Sequence, residues 1–276
     1  MVQLENIDFG YKGNRLLFND LSLSTESGSI YGLLGKNGAG KTTLLKIISG
    51  LRKAHKGKTV VTGYNPSDRN LEFLEQIFFI PEELYLPSMQ FKNYVSQFSG
   101  FYPAFDLPAF KGYLNSFDLD WDMHLGHLSF GQKKKFLLSF AMATGARLVL
   151  FDEPTNGLDI PSKSVFRKLA ASAITVDRTF IISTHQVRDL SMLIDSVMLI
   201  DRGKILLNDK VSAIAEKFAF VTLPRNHGRT DLLYSEEQLE GIKAIILNND
   251  KSETFVDLEL LFNATANKTF LDNCSI

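Results

Sequence analysis

The stretch GKNGAGKT, from Gly35 to Thr42, has a spacing that directly specifies chemistry. It fits the phosphate-binding pattern G-x-x-x-x-G-K-[ST]. Its glycines let the backbone curl so that successive N–H groups point at phosphate oxygens, and the helix expected after it adds partial positive charge. We expect Lys41 to reach the β- and γ-phosphates of a nucleotide and the hydroxyl of Thr42 to ligate Mg²⁺. A glycine-rich turn with a chance lysine is the alternative interpretation.

An acidic pair at the end of an apolar run supplies a second chemical signal. In LVLFDEP, apolar residues are followed by Asp152 and Glu153, at the kind of strand end where α/β proteins bind ligands. Asp152 is expected to hold Mg²⁺, directly or through water, and Glu153 to polarise the attacking water. The alternative is an acidic strand-to-loop turn, which the presence of the phosphate-binding pattern disfavours.

Two further side chains are candidates because of where they fall in the chain. His185 ends the buried strand predicted for IISTH. A lone histidine is more often structural, but beside the groups above it is well placed to contact a γ-phosphate. Tyr11 follows the first predicted strand, where it is either a core residue or an aromatic platform for an adenine ring.

The stretch LSFGQKKKF, from Leu128 to Phe136, predicts the start of a helix. Ser129 is a good N-cap residue because its hydroxyl accepts hydrogen bonds from the first turn. The three lysines are interpreted as a solvated helix face. A bulky Phe130 between a serine and a glycine is unusual at a helix start, and local sequence does not explain it.

Composition and charge describe an ordinary globular chain. Of its 276 residues, 30 are Lys or Arg and 31 are Asp or Glu, and the net charge of −1 disfavours a nucleic-acid-binding protein. The single cysteine, Cys274, cannot form a disulfide within the chain, which fits a reducing compartment. The N-terminus lacks a signal-peptide pattern, and no apolar run approaches the roughly 20 residues of a membrane span. We therefore expect a soluble, cytosolic protein.

Strands that alternate with helices must position these residues. Apolar strands are predicted before Gly35, up to Asp152 and up to His185, with a helix after the phosphate-binding pattern that stops at Gly50. This alternation predicts a parallel-type α/β sheet. QVRDLSMLI is predicted as a helix, and DSVMLIDRGKILL as a hairpin that turns at Arg202-Gly203. From about Leu84 to Gly145 helical spacing and aromatics dominate, which indicates a helical subdomain.

The chain beyond about Ala219 carries weaker signals. FAFVTL, DLLYS and IKAIILNN are predicted strands, and VDLELLFNATAN a closing helix, of a small α+β appendage. We place its boundary so that residues 1–217 form one domain and residues 218–276 the appendage.

In their order, these motifs resemble the ATP-binding subunit of an ABC (ATP-binding cassette) transporter, from about Val2 to Lys217. GKNGAGKT resembles Walker A, LVLFDE resembles Walker B, and NGLD, which ends at Asp159, resembles the D-loop. His185 matches the switch histidine, and Tyr11 lies where the family has its adenine-stacking aromatic. The helical stretch falls where the family has its helical subdomain.

LSFGQ resembles the family signature L-S-G-G-Q, with Phe130 in place of the first glycine. In the family this segment belongs to the ATP site of the opposite subunit, so Ser129, the Gly131 backbone and the helix N-terminus would contact the partner's γ-phosphate. Two copies would sandwich two ATPs head-to-tail. We expect the Phe130 ring to pack outside the site. A second departure is Glu82, in IPEE, where the family usually carries a glutamine; a carboxylate can still ligate Mg²⁺.

The resemblance thus implies a complete set of site residues. The catalytic residues would be Glu153, His185 and Lys41, and the metal ligands Thr42, Asp152 and Glu82. The implied nucleotide contacts are Tyr11, Gly35, Lys36, Asn37, Gly38, Ala39, Gly40, Lys41, Thr42, Thr43, Ser129, Gly131, Gln132 and Asp159.

The resemblance also implies a fold and a function. The fold is an α/β P-loop NTPase core with a mixed sheet (an antiparallel β part and a parallel α/β part), the helical subdomain and the C-terminal appendage. The expected function is Mg²⁺-dependent ATP hydrolysis in a dimer of ATP-binding subunits, a homodimer in the ATP-bound state. It would energise integral membrane subunits at the cytoplasmic face of the membrane, with no nucleic acid involved. VDLELLFNATAN resembles the closing helix of export-type subunits, which favours export.

Two other functions are compatible with the phosphate-binding pattern. A soluble ABC-type ATPase acting on ribosomes or DNA usually has two cassettes or a long coiled coil, whereas this chain has one phosphate-binding pattern and no sustained heptads. An unrelated nucleotide kinase or GTPase would lack the signature-like segment, and a guanine-reading N-K-x-D is absent from the sequence.

Overall fold

The computed structural model of the chain describes residues 1–12, 16–226, 228–251, 253–265 and 270. A turn is also expected at YKGN, after the first strand, but its Gly13 and Asn14 lie outside the described residues, as do Ala266 and Asn267 of the predicted closing helix and Cys274.

The secondary structure of the described residues alternates as an α/β chain should. The strands are β1 (Val2–Phe9), β2 (Phe18–Thr25), β3 (Ile30–Leu34), β4 (Lys56–Val61), β5 (Ile77–Ile80), β6 (Leu148–Asp152), β7 (Thr179–Thr184), β8 (Ser196–Asp201), β9 (Lys204–Lys210), β10 (Phe218–Leu223), β11 (Tyr234–Gln238) and β12 (Gly241–Leu247). The helices are α1 (Lys41–Ile48), α2 (Leu71–Leu74), α3 (Phe91–Phe98), α4 (Leu107–Ser116), α5 (Phe130–Ala143), α6 (Ile160–Ala173), α7 (Val211–Lys217) and α8 (Leu258–Ala264). Short 3₁₀ turns cover Pro66–Asp68, Ser99–Phe101, Leu125–His127 and Val187–Asp189.

A six-stranded sheet in the order β5-β6-β7-β3-β8-β9 organises the site. Its first five strands are parallel, and β9 returns antiparallel through the predicted turn at Arg202-Gly203, where both φ angles are positive. β3, β6 and β7 are buried on both faces, which explains why their sequences are apolar runs rather than alternating ones. Because these three strands are parallel neighbours, their carboxyl ends meet at one edge.

The sheet separates two hydrophobic cores. Along β7, the side chain of Ile181 joins one core, and those of Phe180 and Ile182 join the other, because successive strand residues face opposite ways. The first core is covered by α1 and by an antiparallel sheet in the order β2-β1-β4. The second is covered by α5, α6 and the helical region. The predicted mixed sheet, with parallel and antiparallel parts, is confirmed.

Aromatic side chains fill the predicted helical region. Phe91, Tyr94, Phe110, Phe136 and Phe140 pack ring against ring between α3, α4 and α5. Burial raises the pKa of Tyr94 to about 12. This cluster is continuous with the core beneath the sheet, and through Phe136 and Phe140 it packs the middle of α5 against that core.

The buried Arg178 closes the other end of α5. Its guanidinium donates to the carbonyl oxygens of Ala141 and Met142 at 3.0 and 2.8 Å and to that of Ala146 at 3.0 Å. The last carbonyls of a helix lack partners within the helix, and a cation there is favourable. Burial lowers the pKa of Arg178 to about 10. One side chain therefore ties the segment before β7 to the end of α5.

The predicted helix QVRDLSMLI is wrong. Only Val187–Asp189 is helical, as a 3₁₀ turn. The N–H groups of Asp189, Leu190 and Leu193 bond to carbonyls three residues earlier, and Val187, Leu190 and Leu193 enter the core at that same interval. A spacing of three suits 3₁₀ geometry, in which residues three apart lie on one face. The apolar pattern was real, but its period was not that of an α-helix.

The C-terminal part is the α+β unit predicted from its weak signals. β10, β12 and β11 form an antiparallel sheet in that order, and α8 packs on it. The strand expected at DLLYS begins only at Tyr234. The Arg188 guanidinium pairs with the Glu259 carboxylate and joins α8 to the turn that follows β7. Among the described residues, no helix has both the length and the hydropathy needed to cross a bilayer.

Candidate functional site

The loop from Gly35 to Gly40 joins β3 to α1 and is built around its glycines. Gly38 and Gly40 have φ angles of 81° and 111°, in the region that favours glycine. A Cβ at Gly40 would also lie 2.7 Å from the ring of Phe18. Lys41 is the first residue of α1, so the free N–H groups of that helix face the same loop. Backbone donors therefore converge where the sequence predicts phosphate.

The side chain of Lys41 is folded back into this loop. Its Nζ donates to the carbonyl oxygen of Gly35 at 2.7 Å and lies 3.7 Å from Oε1 of Glu153. Burial lowers the pKa of Lys41, while the carboxylates of Glu153 and Asp152 oppose that shift. The ammonium is thus held, largely desolvated, between the loop and the acidic pair.

Asp152, at the end of β6, is hydrogen-bonded to the first turn of α1 and to the end of β7. Its Oδ2 accepts a hydrogen bond from the Thr42 hydroxyl at 2.7 Å, and its Oδ1 accepts one from the Ser183 hydroxyl at 2.6 Å. Among the described residues, no three His, Cys, Asp or Glu side chains converge as a metal cluster. A hydroxyl beside a carboxylate nevertheless suits Mg²⁺, which takes one or two protein ligands and completes its shell with phosphate oxygens and water.

The Glu153 carboxylate sits where the strand end turns sharply. Its φ is 47°, a left-handed conformation that few non-glycine residues adopt. Oε1 lies 2.9 Å from Nδ1 of His185. Oε2 is buried and has no hydrogen-bond partner among the described residues. Leaving such an oxygen unsatisfied is costly, so it marks a place for a water or ligand donor.

A cleft of about 550 Å³ opens above these groups. Tyr11 lies at its rim, 41% exposed, with its hydroxyl 3.0 Å from that of Thr43 and the guanidinium of Arg52 on its ring. A ring held at the rim of a phosphate-binding cleft, rather than inside the core, favours the stacking interpretation of this residue.

Glu82 lines the same cleft as Glu153. Its Oε1 accepts a hydrogen bond from Nδ2 of Asn156 at 3.0 Å, and Oδ1 of Asn156 accepts one from Nε2 of Gln186 at 3.4 Å. The loop that follows β5, the NGLD segment and the residue after His185 are therefore connected through the side chains of Glu82, Asn156 and Gln186.

The segment from Ser129 to Gln132 starts α5 with a reciprocal cap. The Ser129 hydroxyl accepts from the Gln132 backbone N–H at 3.2 Å, and the Gln132 side-chain oxygen accepts from the Ser129 N–H at 3.0 Å. A Cβ at Gly131 would meet the carbonyl oxygen of Gly157 at 2.8 Å, so the NGLD segment packs directly on it. These capping residues are not among the described residues that line the cleft.

Asp159 ends NGLD by capping α6. Its carboxylate accepts from the backbone N–H of Ser162 at 2.8 Å. Hydrogen bonds from Ser162 hold the pKa of Asp159 below its ordinary value. The side chain is therefore occupied locally, at the start of a helix, outside the cleft residues.

A protein-family model described as "ABC transporter" matches residues 18–156. The match runs from β2 through the phosphate-binding loop and the α5 start to the acidic pair. The chain belongs to the ABC transporter family. It is an ATP-binding and ATP-hydrolysing subunit of such a transporter, which confirms the resemblance, and none of these matches favours the ribosome, DNA, kinase or GTPase alternatives.

Two curated relatives and one solved structure illustrate the similarity of this ABC subunit to known proteins. It is 32% identical over 212 residues to the SkfA peptide export ATP-binding protein SkfE of Bacillus subtilis, covering 75% of this chain and 87% of the relative. It is 30% identical over 210 residues to the lantibiotic transport ATP-binding protein SrtF of Streptococcus pyogenes, covering 75% and 90%. A dimeric structure of a post-hydrolysis state of an ATP-binding cassette with ADP and Pi superposes with a TM-score of 0.67 at 20% identity, covering 76% and 98%, and shows the shared fold.

The ABC subunit brings most of the predicted site residues together. The cleft is lined by Tyr11, Lys36, Asn37, Gly38, Gly40, Lys41, Thr42, Thr43, Glu82 and Glu153, among others. Gly35 contributes its carbonyl to Lys41, Ala39 is buried beneath the loop, Asp152 lies behind Thr42, and His185 contacts Glu153. The signature residues Ser129, Gly131 and Gln132, together with Asp159, are not among the described residues that line this cleft.

Sequence reasoning missed some contributors and misread one. Ser183 could have been noticed in the sequence, because it is a polar residue within an otherwise apolar strand. Asn156 was noted only as part of the NGLD motif. Nothing in the sequence indicated that its side-chain amide bridges Glu82 and Gln186. The interpretation of the three lysines as a solvated face is wrong for Lys134, which is fully buried. Its position on α5 points inward, between the helix and the Walker B strand end.

Proposed function

We propose that the cleft binds the ATP that this subunit hydrolyses, with Glu153 as the residue that aligns or deprotonates the attacking water. The observation that carries this assignment is the carboxylate itself, with one oxygen held by Lys41 and His185 and the other buried and unpartnered. That second oxygen is available to accept a proton from water. Lys41 and His185 stabilise the charge that develops on the γ-phosphate.

Mg²⁺ is the cofactor that these residues fit. Thr42 and Asp152, already in hydrogen-bond contact, and Glu82 across the cleft would hold it. When bound, it would neutralise part of the charge on the β- and γ-phosphates. Ser183 keeps the Asp152 carboxylate oriented through its 2.6 Å hydrogen bond. The protein would thus contribute side-chain oxygens from Thr42, Asp152 and Glu82 as ligands for the ion.

The active form we propose is a head-to-tail dimer that closes around ATP. Ser129, the Gly131 backbone, Gln132 and the α5 N-terminus would contact the nucleotide in the partner's cleft, and Asp159 would lie at the same interface. Their absence from the residues lining their own cleft supports this arrangement. The Phe130 ring is packed sideways on Gly157, which leaves the helix N-terminus open for approach.

We also propose that the subunit works on the cytoplasmic face of a membrane with integral membrane subunits. An apolar groove of about 510 Å³ lies between β5 and the helical region, with Leu71 and Phe101 exposed in it. A helix of the membrane subunit would occupy it. The strand β5 lines this groove and is followed by Glu82, which lines the ATP cleft. The same strand would therefore connect the docking surface for the membrane subunit to the nucleotide site. SkfE and SrtF are named for peptide export and lantibiotic transport, which supports export.

The division at residue 218 is part of this proposal. Residues 1–217 would form the ATP-hydrolysing domain, and residues 218–276 a C-terminal appendage. The antiparallel sheet of β10, β11 and β12 supports the boundary, because its strands pair with one another.

Affinity capture of the tagged protein from its native cells in mild detergent, followed by mass spectrometry, tests the proposal. Recovery of a multi-span membrane protein at comparable stoichiometry is the expected result. The variant Leu71→Asp should lose that protein while keeping ATPase activity. Leu239→Asp changes an exposed leucine of the C-terminal part and is the matched control. Capture of ribosomes or nucleic acid without a membrane protein would overturn the membrane proposal and leave the ATP chemistry standing.

A further inference from the structure

Lys134 is a buried lysine whose role neither the family motifs nor ATP chemistry accounts for. It lies on the second turn of α5, inside the lysine run that follows the signature, and is 0% exposed. A buried ammonium is expensive unless it is hydrogen-bonded and compensated by nearby charge. Burial lowers the pKa of Lys134, and the carboxylates of Glu82, Glu153 and Asp152 oppose this. The Lys134 side chain is therefore buried beneath the part of the ATP cleft that carries these three carboxylates.

The direct partner of Lys134 is the backbone of Glu153. Its Nζ donates to the Glu153 carbonyl oxygen at 2.8 Å. The Glu153 N–H is held at the other end of the residue, 3.2 Å from both the carbonyl oxygen and the hydroxyl oxygen of Ser183. A glutamate with a φ of 47° sits in a conformation that persists only where its surroundings fix it. Ser183 holds the Glu153 N–H, and the Glu153 carbonyl oxygen accepts from the Asn156 N–H at 3.3 Å and, more closely, from the Lys134 ammonium, which is the side-chain donor to that oxygen.

We propose that Lys134 is a positioning residue for hydrolysis, which sets the direction of the Glu153 carboxylate by holding its backbone carbonyl. This inference rests on the proposed role of Glu153. Lys134 is fully buried and is not among the described residues that line the cleft, so its contribution would lie in the chemical step rather than in ATP binding.

The same lysine joins the two ATP sites of the proposed dimer. Ser129 and Gly131, which would contact the partner's γ-phosphate, are on the first turn of α5, and Lys134 is on the next turn of the same rigid helix. The Phe130 ring lies between the two features, 5.4 Å from the Lys134 ammonium. A shift of α5 on contact with the partner's ATP would move the Lys134 donor and, through it, Glu153. One subunit's nucleotide would thus align the other site's base.

Substitution of Lys134 by methionine tests the positioning role, since methionine has similar length and no donor. We expect K134M to lower kcat for ATP hydrolysis by about 10- to 100-fold, with KM and the affinity for ATP within about two-fold of wild type. The matched control is K133M, which removes the same charge from a half-buried neighbour and should retain wild-type kcat. Equal loss in K133M and K134M would overturn the assignment to Lys134.

A double-mutant cycle with E153Q separates positioning from a merely structural effect. In the E153Q background, K134M should change the residual rate by no more than about two-fold, because the group it positions is already gone. An additive loss would overturn the proposal, and so would wild-type kcat in K134M. If K134M fails to fold, judged by thermal unfolding and ATP binding, K134L, which also lacks a donor, is taken through the same cycle. Wild-type turnover in E153Q alone would instead refute the proposed role of Glu153.

Discussion

Oε1 of Glu153 lies 2.9 Å from Nδ1 of His185 and 3.7 Å from Nζ of Lys41. One carboxylate oxygen is thus shared by the two groups that would stabilise a γ-phosphate. A phosphate arriving in the cleft competes with this oxygen for both of them. ATP binding should therefore loosen Glu153 from its neighbours and turn it towards water, which couples occupation of the cleft to activation of its base.

Replacement of Glu153 by glutamine preserves its shape but removes the base. We expect E153Q to bind ATP and to hydrolyse it about 10²- to 10⁴-fold more slowly. Because ATP then persists, the variant should accumulate as a closed dimer in size-exclusion chromatography with Mg²⁺ and ATP. E83Q, which changes an exposed neighbour of Glu82, is the control for loss of a carboxylate near the site. Turnover at the wild-type rate in E153Q would remove Glu153 from the mechanism.

Glu82 adds a negative charge to a cleft that must hold phosphates. Replacing it with glutamine removes that charge and keeps an oxygen that can accept from Asn156, as Oε1 of Glu82 does now. We therefore expect E82Q to bind MgATP at least as tightly as wild type, measured by titration calorimetry beside E83Q. If E82Q no longer binds nucleotide at all, the equivalence of this position with the family glutamine is wrong.

The Phe130 ring is half exposed and packs on Gly157 and over Lys134 rather than into the cleft. Substitution by alanine or glycine uncovers these neighbours without removing a ligand of ATP. We expect F130A and F130G to keep steady-state ATPase activity within a few-fold of wild type. A collapse of activity in both variants, with folding intact by circular dichroism, would mean that the ring itself contributes to the partner's site.

Asp257 caps α8 and ties the C-terminal sheet together. Its carboxylate accepts from the N–H groups of Glu259 and Leu260 and pairs with Lys243. Burial alone would raise the pKa of Asp257, but the Lys243 side chain and the backbone donors outweigh it and hold the pKa below its ordinary value.

Because its folded-state pKa is the lower one, the stability from Asp257 is present above about pH 4 and is lost as the pH falls through the folded-state pKa. D257A should cost about 1 kcal/mol at pH 7 in urea unfolding, with faster hydrogen exchange in α8. The difference from wild type should shrink below pH 3. D257N keeps a capping oxygen and should lose less. An unchanged exchange rate in D257A would show that the cap does not hold α8.

The sequence predicted this site well where chemistry and local pattern coincide. Gly35 to Thr42 needs glycines, a lysine and a following helix, all of which are local features. Lys134 could not be found in this way, because its burial depends on how α5 packs against a strand end 19 residues later in the chain. The prediction for the 187–193 segment failed because its buried residues recur at every third position, which fits a 3₁₀ turn, and the apolar pattern was interpreted as α-helical. Features of this kind depend on tertiary contacts, which the local sequence pattern does not contain.

The contact between Phe130 and Gly157 links two positions in their evolutionary history. Gly157 has a φ of 79°, and a Cβ there would lie 2.7 Å from the Phe130 ring. The backbone conformation at 157 already favours glycine, and the Phe130 ring occupies the space that a side chain there would need. In related cassettes, a large residue at position 130 and a side chain at position 157 would therefore compete for the same space, so the two positions should vary together.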